Sequence, residues 1–285
     1  METWFGLESP HCDYDNARVV IVPAPYEGTV SWGQGALFGP AAVLDASPNI
    51  EYYDSILGTE PYLMGIHGLP WLDLDGGVEA AVMKVKDAVA GVIKAGKCPV
   101  LVGGEHSLTV GAVMAAFEAH LDLTVLQIDA HADLRDEYED EKFSHACVMR
   151  RIHDLGIGFV QAGIRSMSVE EREWLDNKGR DVISSRYIRT RPDWLDHVLS
   201  GLSNNIYLTF DVDGLDPSEM PATGTPEPGG LSYHHVIDLV LALKGSGKKV
   251  VGFDIMELAP IEGLHHPQFT CASLMYTMMG AFWGE

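Results

Sequence analysis

Cysteine is scarce. The 285 residues hold four: Cys12, Cys98, Cys147 and Cys271. No two are close enough to form a CxxC pair, which argues against a zinc knuckle and against a disulfide framework. Most of the four are expected to be buried free thiols instead. Long apolar runs are also lacking. Nothing approaches the roughly 18–20 continuous apolar residues of a membrane-spanning helix. The acidic opening METWFGLESPHCDYDN has no basic-then-apolar leader pattern. The expectation is a soluble, cytoplasmic protein with no membrane partner. Positive charge is in short supply too, with 19 Lys and Arg against 41 Asp and Glu, a net charge of −22. Nucleic-acid binding is therefore disfavoured, because neutralising phosphates takes Lys and Arg. An acidic field draws cations, among them metal ions and amines. Acidity alone also belongs to many proteins that need only solubility, so it counts only beside a site. No repeat or low-complexity linker divides the chain, and a single domain over 1–285 is expected.

What is present is ordinary globular composition, 46% hydrophobic and 21% charged, arranged in a pattern. Short apolar, β-branched runs recur at Arg18–Pro23, Pro99–Val102, Leu123–Ile128, Phe159–Ala162, Asp181–Ser184, Asn205–Phe210 and Lys249–Phe253. Helix-period segments lie between them. In the stretch 78–95, Val78, Val82, Val85, Val89 and Val92 fall at steps of three and four, and Gly96 can end the helix. Ser168 with Glu171 reads as a capping box. Ser232 precedes a second periodic stretch, and 271–282 reads as a final buried helix. Strands apolar on both faces, alternating with helices, give an α/β fold with a parallel sheet covered on both sides.

Ligands gather at the carboxyl ends of such strands, so the residues there matter most. GGEHS follows Val102, DAHAD follows Ile128, DVDG follows Phe210 and DIME follows Phe253. Asp129, His131 and Asp133 are spaced by two, as are Asp211 and Asp213. Extended backbone turns such residues to one side, and His106 adds a sixth group. A lone Asp after a strand is commonly a helix cap or turn residue, and a lone His commonly a core or surface residue. Three ionisable groups on one face are different, because without a cation they repel and desolvate badly. Four carboxylates and two imidazoles with no thiolate suit Mn²⁺. Zn²⁺ would bind as well, and Mg²⁺ or Ca²⁺ share the oxygen preference. Six ligands are too many for one ion with an open position, and suit a pair of ions that share carboxylates.

At these residues the sequence resembles the ureohydrolase family, which includes arginase and agmatinase. The segments are GGEHS (103–107), DAHADLR (129–135), SHACVMRR (144–151), GIRS (163–166), TFDVDGLDP (209–217), ATGTPEPGGL (222–231) and DIMEL (254–258), in family order. The resemblance implies a three-layer α/β/α fold with an eight-stranded parallel sheet and two Mn²⁺ per subunit. His106, Asp129, Asp133 and Asp211 would hold the first ion and His131 with Asp213 the second, Asp129 and Asp211 bridging both. The guanidinium carbon is a poor electrophile, so hydrolysis needs a strong nucleophile at neutral pH, which paired metals supply from water. Asp133 would accept a hydrogen bond from that nucleophile. His145 would transfer protons and, with Glu257, contact the substrate; Glu257 would grip the guanidinium. Family members form trimers or hexamers, so a homo-oligomer is implied.

Several further residues read as support. Gly103 and Gly104 allow close backbone approach beside His106. Ser107 would cap the next helix or hydrogen-bond a ligand, Arg165 would serve structure, and 223–230 would be an active-site loop. The loop DLRDEYEDEKFS carries Asp136, Glu137, Glu139, Asp140 and Glu141 against Arg135 and Lys142. Such a loop suits a small cationic guanidino substrate with a bare ammonium. Agmatine, giving putrescine and urea, is the first expectation. Aminopropylagmatine comes next, then arginine, guanidinobutyrate and formiminoglutamate. Ala146 stands where the family often has Gly, which bears on pocket shape beside His145. A deacetylase is disfavoured because no adjacent His-His pair precedes the metal motifs. A silent binding relative would be expected to lose ligands that are all present here.

Overall fold

The computed structural model describes residues 3–284. Eight strands form one sheet: β1 Val19–Ala24, β2 Ile66–Gly68, β3 Cys98–Gly103, β4 Leu123–Ile128, β5 Gly158–Ile164, β6 Ile183–Ser184, β7 Asn205–Asp211 and β8 Lys249–Met256. Their order is β2-β1-β3-β8-β7-β4-β5-β6, and every pairing is parallel. Helices α1 Gly39–Ala46, α2 Val78–Lys94, α3 Thr109–Ala119, α4 Val148–Asp154, α5 Val169–Asn177, α6 Ser185–Thr190, α7 Trp194–Ser200, α8 Tyr233–Gly245 and α9 His266–Trp283 cover both faces. This is the expected three-layer α/β/α arrangement. No helix among the described residues is long and apolar enough to cross a membrane.

Alternation within β1 shows why its run is apolar throughout. Val19 and Ile21 join one core with Val236, Leu239, Val240 and Met275 of α8 and α9. Val20 and Val22 join the other with Val82, Val85, Val89, Val110 and Val113 of α2 and α3. A strand buried on both sides has no polar face to show. Each buried Val contributes about 1.5–3 kcal/mol relative to exposure. The capping box at Ser168 and Glu171 forms as expected. Ser232 also caps α8, with His235 taking the reciprocal position.

Three departures from the sequence reading have physical causes. β2 falls outside the seven apolar runs, because its three residues, Ile-His-Gly, carry too little apolar pattern to register. β8 runs three residues beyond Phe253, so Asp254 lies inside a strand and is fully buried. Of the four thiols only Cys147 and Cys271 are buried, while Cys12 and Cys98 are half-buried.

The chain order places the site. After β1 and β2 the chain builds β3, passes over to β4, moves outward through β5 and β6, and returns to insert β7 and β8 between β3 and β4. The four strands whose ends carry carboxylates and imidazoles are therefore consecutive neighbours, β3-β8-β7-β4. That is where a doubly wound sheet opens its ligand crevice.

Helices α2 and α3 pack so closely that a Cβ on Gly111 would stand 2.1 Å from the Val82 carbonyl oxygen. Gly111→Ala is therefore expected to push the two helices apart and to destabilise the fold by about 1–3 kcal/mol. A urea or thermal midpoint equal to wild type would show that this contact is not tight in solution.

Candidate active site

Each functional side chain follows from its strand end. Beyond β3, a Cβ on Gly104 would lie 2.0 Å from the Tyr26 carbonyl oxygen, so only glycine fits. This close approach delivers Glu105 and then His106, which opens the turn into α3. Beyond β4 the backbone stays extended. The Ala130 carbonyl accepts from the Arg165 and Ser166 amides, and His131 bridges Ser166. The two-residue alternation thereby turns Asp129 and His131 inward. Asp133 then takes a left-handed φ of 51°. Beyond β7, Asp211 Oδ1 accepts from the Asp213 amide at 2.9 Å and pins the turn Val212–Gly214. Beyond β8, Glu257 is also left-handed, at φ 66°. Its amide donates to the Gly104 carbonyl at 2.8 Å, and its Oε1 accepts from the His106 amide at 2.6 Å. Left-handed φ at two non-glycine residues persists only where surrounding contacts fix it.

The six expected donors converge. His106 Nδ1 lies 3.3, 3.1 and 3.2 Å from carboxylate oxygens of Asp129, Asp133 and Asp211. His131 Nδ1 lies 3.0 Å from Asp213 and 3.7 Å from Asp129. Asp129 presents Oδ2 to the first imidazole and Oδ1 to the second, so it belongs to two donor groups, His106–Asp129–Asp133 and Asp129–His131–Asp213. Asp211 is seen against His106 alone.

Electrostatics shows what is missing. All four carboxylates are buried, and among the described residues no Lys or Arg ion-pairs with them. Burial, then the charges of Asp213 and Asp129, pushes Asp211 well above the usual carboxylate range. Burial and Asp129 push Asp133 up to about 7. Burial works against charge on His131, yet Asp129 and Asp213 outweigh it and push the imidazole up to about 12. The same contest, won by Asp129, Asp133 and Asp211, holds His106 well above its ordinary value. The cluster demands positive charge at its centre. His106 Nδ1 is buried with no hydrogen-bond partner, aimed at three carboxylates. An oxygen-rich set with two imidazoles and no sulfur fits hard or borderline divalent cations.

A second layer fixes these donors. His106 Nε2 is 2.8 Å from Thr209 Oγ1, which is 3.3 Å from Thr109 Oγ1, and Thr109 donates to Asp254 at 2.9 Å. The Thr109 hydrogen goes to Asp254, so Thr209 donates to Thr109 and accepts from His106 Nε2–H. With Nε2 committed to Thr209, Nδ1 is the nitrogen that faces the carboxylates, and the neutral ring would offer its lone pair to a cation there. Behind Asp129, Gln161 donates to Gln127 at 2.6 Å, and Gln127 donates to Asp129 Oδ2 at 2.6 Å. Sequence reasoning passed over Thr209, Thr109, Gln127 and Gln161. A signal existed: Gln127 and Thr209 are polar residues inside apolar strands, each two positions before a donor. Ser107 neither caps α3, whose N-cap is Leu108, nor supports a ligand; its hydroxyl is buried without a partner.

A cavity of about 240 Å³ opens above the cluster. His106, His131, Asp133, Asp211, Asp213, His145 and Glu257 line it, with Asp129 buried behind. Burial holds the His145 imidazole below its ordinary value. Burial, then the Glu105 charge, pushes Glu257 up to about 8. Gly224 and Thr225 bring the 223–230 loop to the wall, as expected. Arg165 is structural, as expected: its guanidinium donates to carbonyls of Asp213, Leu215 and Glu227 and ties that loop to the β7 turn.

The acidic loop departs from expectation. Asp133, Arg135 and Tyr138 line the cavity, whereas Asp136, Glu137, Glu139, Asp140 and Glu141 do not. Asp136 pairs with Arg151 at 2.8 Å and Arg150 at 3.4 Å. Tyr138 and Glu141 exchange backbone hydrogen bonds in a tight turn with left-handed Glu139 and Asp140. That turn sends Tyr138 inward and the acids elsewhere. The wall carboxylate that sequence reasoning missed is Glu171, whose oxygens accept from the Leu134 and Ser168 amides.

A family model described as the arginase family matches residues 17–280. The chain is 40% identical over 282 residues to the N(1)-aminopropylagmatine ureohydrolase of Synechocystis sp., covering 95% of this chain and 91% of that relative. It is 34% identical over 281 residues to the agmatinase of Pyrococcus horikoshii, covering 97% and 96%. The crystal structure of the agmatine ureohydrolase of Thermoplasma volcanium superposes with a TM-score of 0.89 at 32% identity, over 99% of this chain and 94% of that one. A family match over residues 17–280, with relatives at 34–40% identity along nearly the whole chain, places this protein in the arginase family of ureohydrolases.

Proposed function

We propose that the protein uses two Mn²⁺ ions to hydrolyse an amine-ended guanidino compound, releasing urea. The observation that carries the two-ion reading is Asp129, which offers one carboxylate oxygen to each imidazole group. His106, Asp129, Asp133 and Asp211 would hold one ion, and His131, Asp213, Asp129 and Asp211 the other. When bound, such a pair lowers the pKa of water and so makes a nucleophile available at neutral pH.

The chain's own residues do the rest. Glu257 lies in the cavity wall and takes the guanidinium through charge-assisted hydrogen bonds. The substrate's positive charge also offsets the burial that disfavours ionised Glu257. His145 is neutral near pH 7 and lines the same cavity, so it takes a proton during attack and returns it to the departing amine. Asp133 accepts a hydrogen bond from the attacking oxygen. The products are urea and an amine.

The far end of the substrate decides specificity. The loop acids that favoured agmatine are not in the cavity wall, which leaves fixed Glu171 as the carboxylate that attracts a distant amine. Aminopropylagmatine now stands ahead of agmatine, because the relative of that name is 40% identical and the agmatinase 34%. One observation favours a second reading. Arg135 is the single Lys or Arg of the cavity lining and stacks on Tyr138 at 5.2 Å. A carboxylate-ended substrate such as arginine or guanidinobutyrate would use it.

Urea release from equal concentrations of aminopropylagmatine, agmatine, arginine and guanidinobutyrate by Mn²⁺-loaded protein checks the assignment. The two amine-ended compounds should lead by at least about tenfold, the worth of one charge-assisted contact. A lead by arginine or guanidinobutyrate would shift specificity to Arg135. Asp129→Ala should abolish turnover by removing one of the two carboxylates common to both ions, with fewer than two ions retained by elemental analysis. Near-normal turnover would end the two-ion model. Glu257→Ala should keep both metals and lower kcat/KM by roughly 10²-fold or more, as loss of a buried charged hydrogen bond implies. Unchanged kinetics would remove its assigned contact.

A further inference from the structure

Sequence reasoning gave Thr29 no role, yet three segments meet at its hydroxyl. Thr29 Oγ1 is 2.5 Å from Glu105 Oε1, 3.0 Å from the His145 amide nitrogen and 3.1 Å from His145 Nδ1. Glu105 is fully buried, and its Oε2 accepts from the amides of Gly28 and Thr29 at 2.7 and 2.6 Å. These donors set a direction. The Glu105 carboxylate receives three hydrogen bonds and has no hydrogen to give. A hydroxyl has one hydrogen, and Thr29 gives it to Glu105. The Thr29 oxygen therefore meets His145 with lone pairs only. One accepts the His145 backbone N–H. The other, facing Nδ1 at 3.1 Å, requires that nitrogen to carry a hydrogen. A neutral imidazole has a single N–H, so Nε2 carries the lone pair.

We propose that the Glu105–Thr29 pair is a positioning device that holds His145 as its Nδ1–H tautomer and leaves Nε2 as the atom that takes up and returns the proton. The inference rests on the proton-transfer role proposed above for His145. Ser144 Oγ stands 3.3 Å from Nδ1, on the same edge of the ring, and can accept from the same N–H. Tyr138 packs edge-on against the imidazole at 5.7 Å and limits its swing. The segment that carries Thr29 is pressed onto Gly104 through Tyr26, so the hydroxyl is tied to the β3 end that also delivers His106.

Isosteric variants separate polarity from packing. Thr29→Val removes the hydroxyl and keeps the shape. Thr29→Ser keeps the hydroxyl. Glu105→Gln sets an amide N–H against Thr29 Oγ1, which turns the hydroxyl hydrogen toward Nδ1 and selects the wrong tautomer. Each would be compared with His145→Ala and with the Thr29→Val/His145→Ala double variant. The readouts are kcat and KM with aminopropylagmatine and agmatine, bound metal by elemental analysis, and the thermal midpoint. Thr29→Val should lose roughly 10–100-fold in kcat with little change in KM, part of the 10²–10⁴ that positioned proton transfer contributes. Thr29→Ser should recover most of that loss, and the double variant should be no slower than His145→Ala alone. Should Thr29→Val lose metal or melt early, Glu105→Gln carries the test with the same expected fall in kcat. If His145→Ala is crippled while Thr29→Val and Glu105→Gln turn over like wild type, the positioning device is overturned and the role of His145 stands. Equal losses in Thr29→Ser and Thr29→Val would overturn it as well, by assigning Thr29 to packing. If His145→Ala itself is unimpaired, both readings fall together.

Discussion

Four buried aspartates crowd around two imidazoles at the mouth of this sheet, and the protein is arranged to keep them there. Like charges about 4 Å apart repel by about 4 kcal/mol at the effective dielectric near a protein surface, and burial adds a desolvation penalty. Paired in one place, such groups call for a compensating positive charge. Asp211 and Asp133 respond by shifting upward, and His106 and His131 respond by holding protons far above their ordinary range. Divalent cations meet the same demand with higher charge density, and that chemistry belongs to the family. The surrounding apolar strands supply the rigidity that the repulsion would otherwise relax.

Polarity in the second layer runs outward from the site along single-file hydrogen bonds. Asp254 fixes Thr109, Thr109 fixes Thr209, and Thr209 fixes which nitrogen of His106 faces the carboxylates. The chain through Gln161 and Gln127 does the same for Asp129. Glu105 and Thr29 end on a third imidazole, that of His145. In each chain a group with a limited supply of hydrogens leaves its neighbour one choice. Orientation is thereby settled before substrate enters, which is how a site keeps its geometry without reorganising during reaction.

The cavity wall shows how substrate choice is separated from chemistry. Its floor is built by strand ends whose register the sheet fixes. Its upper wall comes from segments 30–33, 135–138, 166–171 and 224–225, which are loops and a helix start. Loops tolerate change that the floor does not. In the function proposed above, selectivity among guanidino compounds would rest on how Glu171, Arg135, Tyr138 and Trp32, all in the cavity wall, meet the far end of the substrate.

By itself the sequence determined the parallel sheet and its two-sided burial, and through DxHxD, DxD and the His106 that ends a third strand it singled out six side chains that converge, because strand and helix periods and residue spacing are local properties. Resemblance of ordered motifs then supplied His145, Glu257 and the family. The sequence did not determine that strands β3, β8, β7 and β4 are neighbours, since that depends on two late strands returning to the middle of the sheet. Nor could it tell that Asp254 lies within a strand, that the loop acids turn away from the cavity while Tyr138 turns in, or that Thr29 reaches a residue 116 positions later. Each of these is a contact between segments far apart in the chain. Local periodicity carries no record of such contacts, and only the packed tertiary structure decides which hydroxyl or carboxylate arrives at which imidazole.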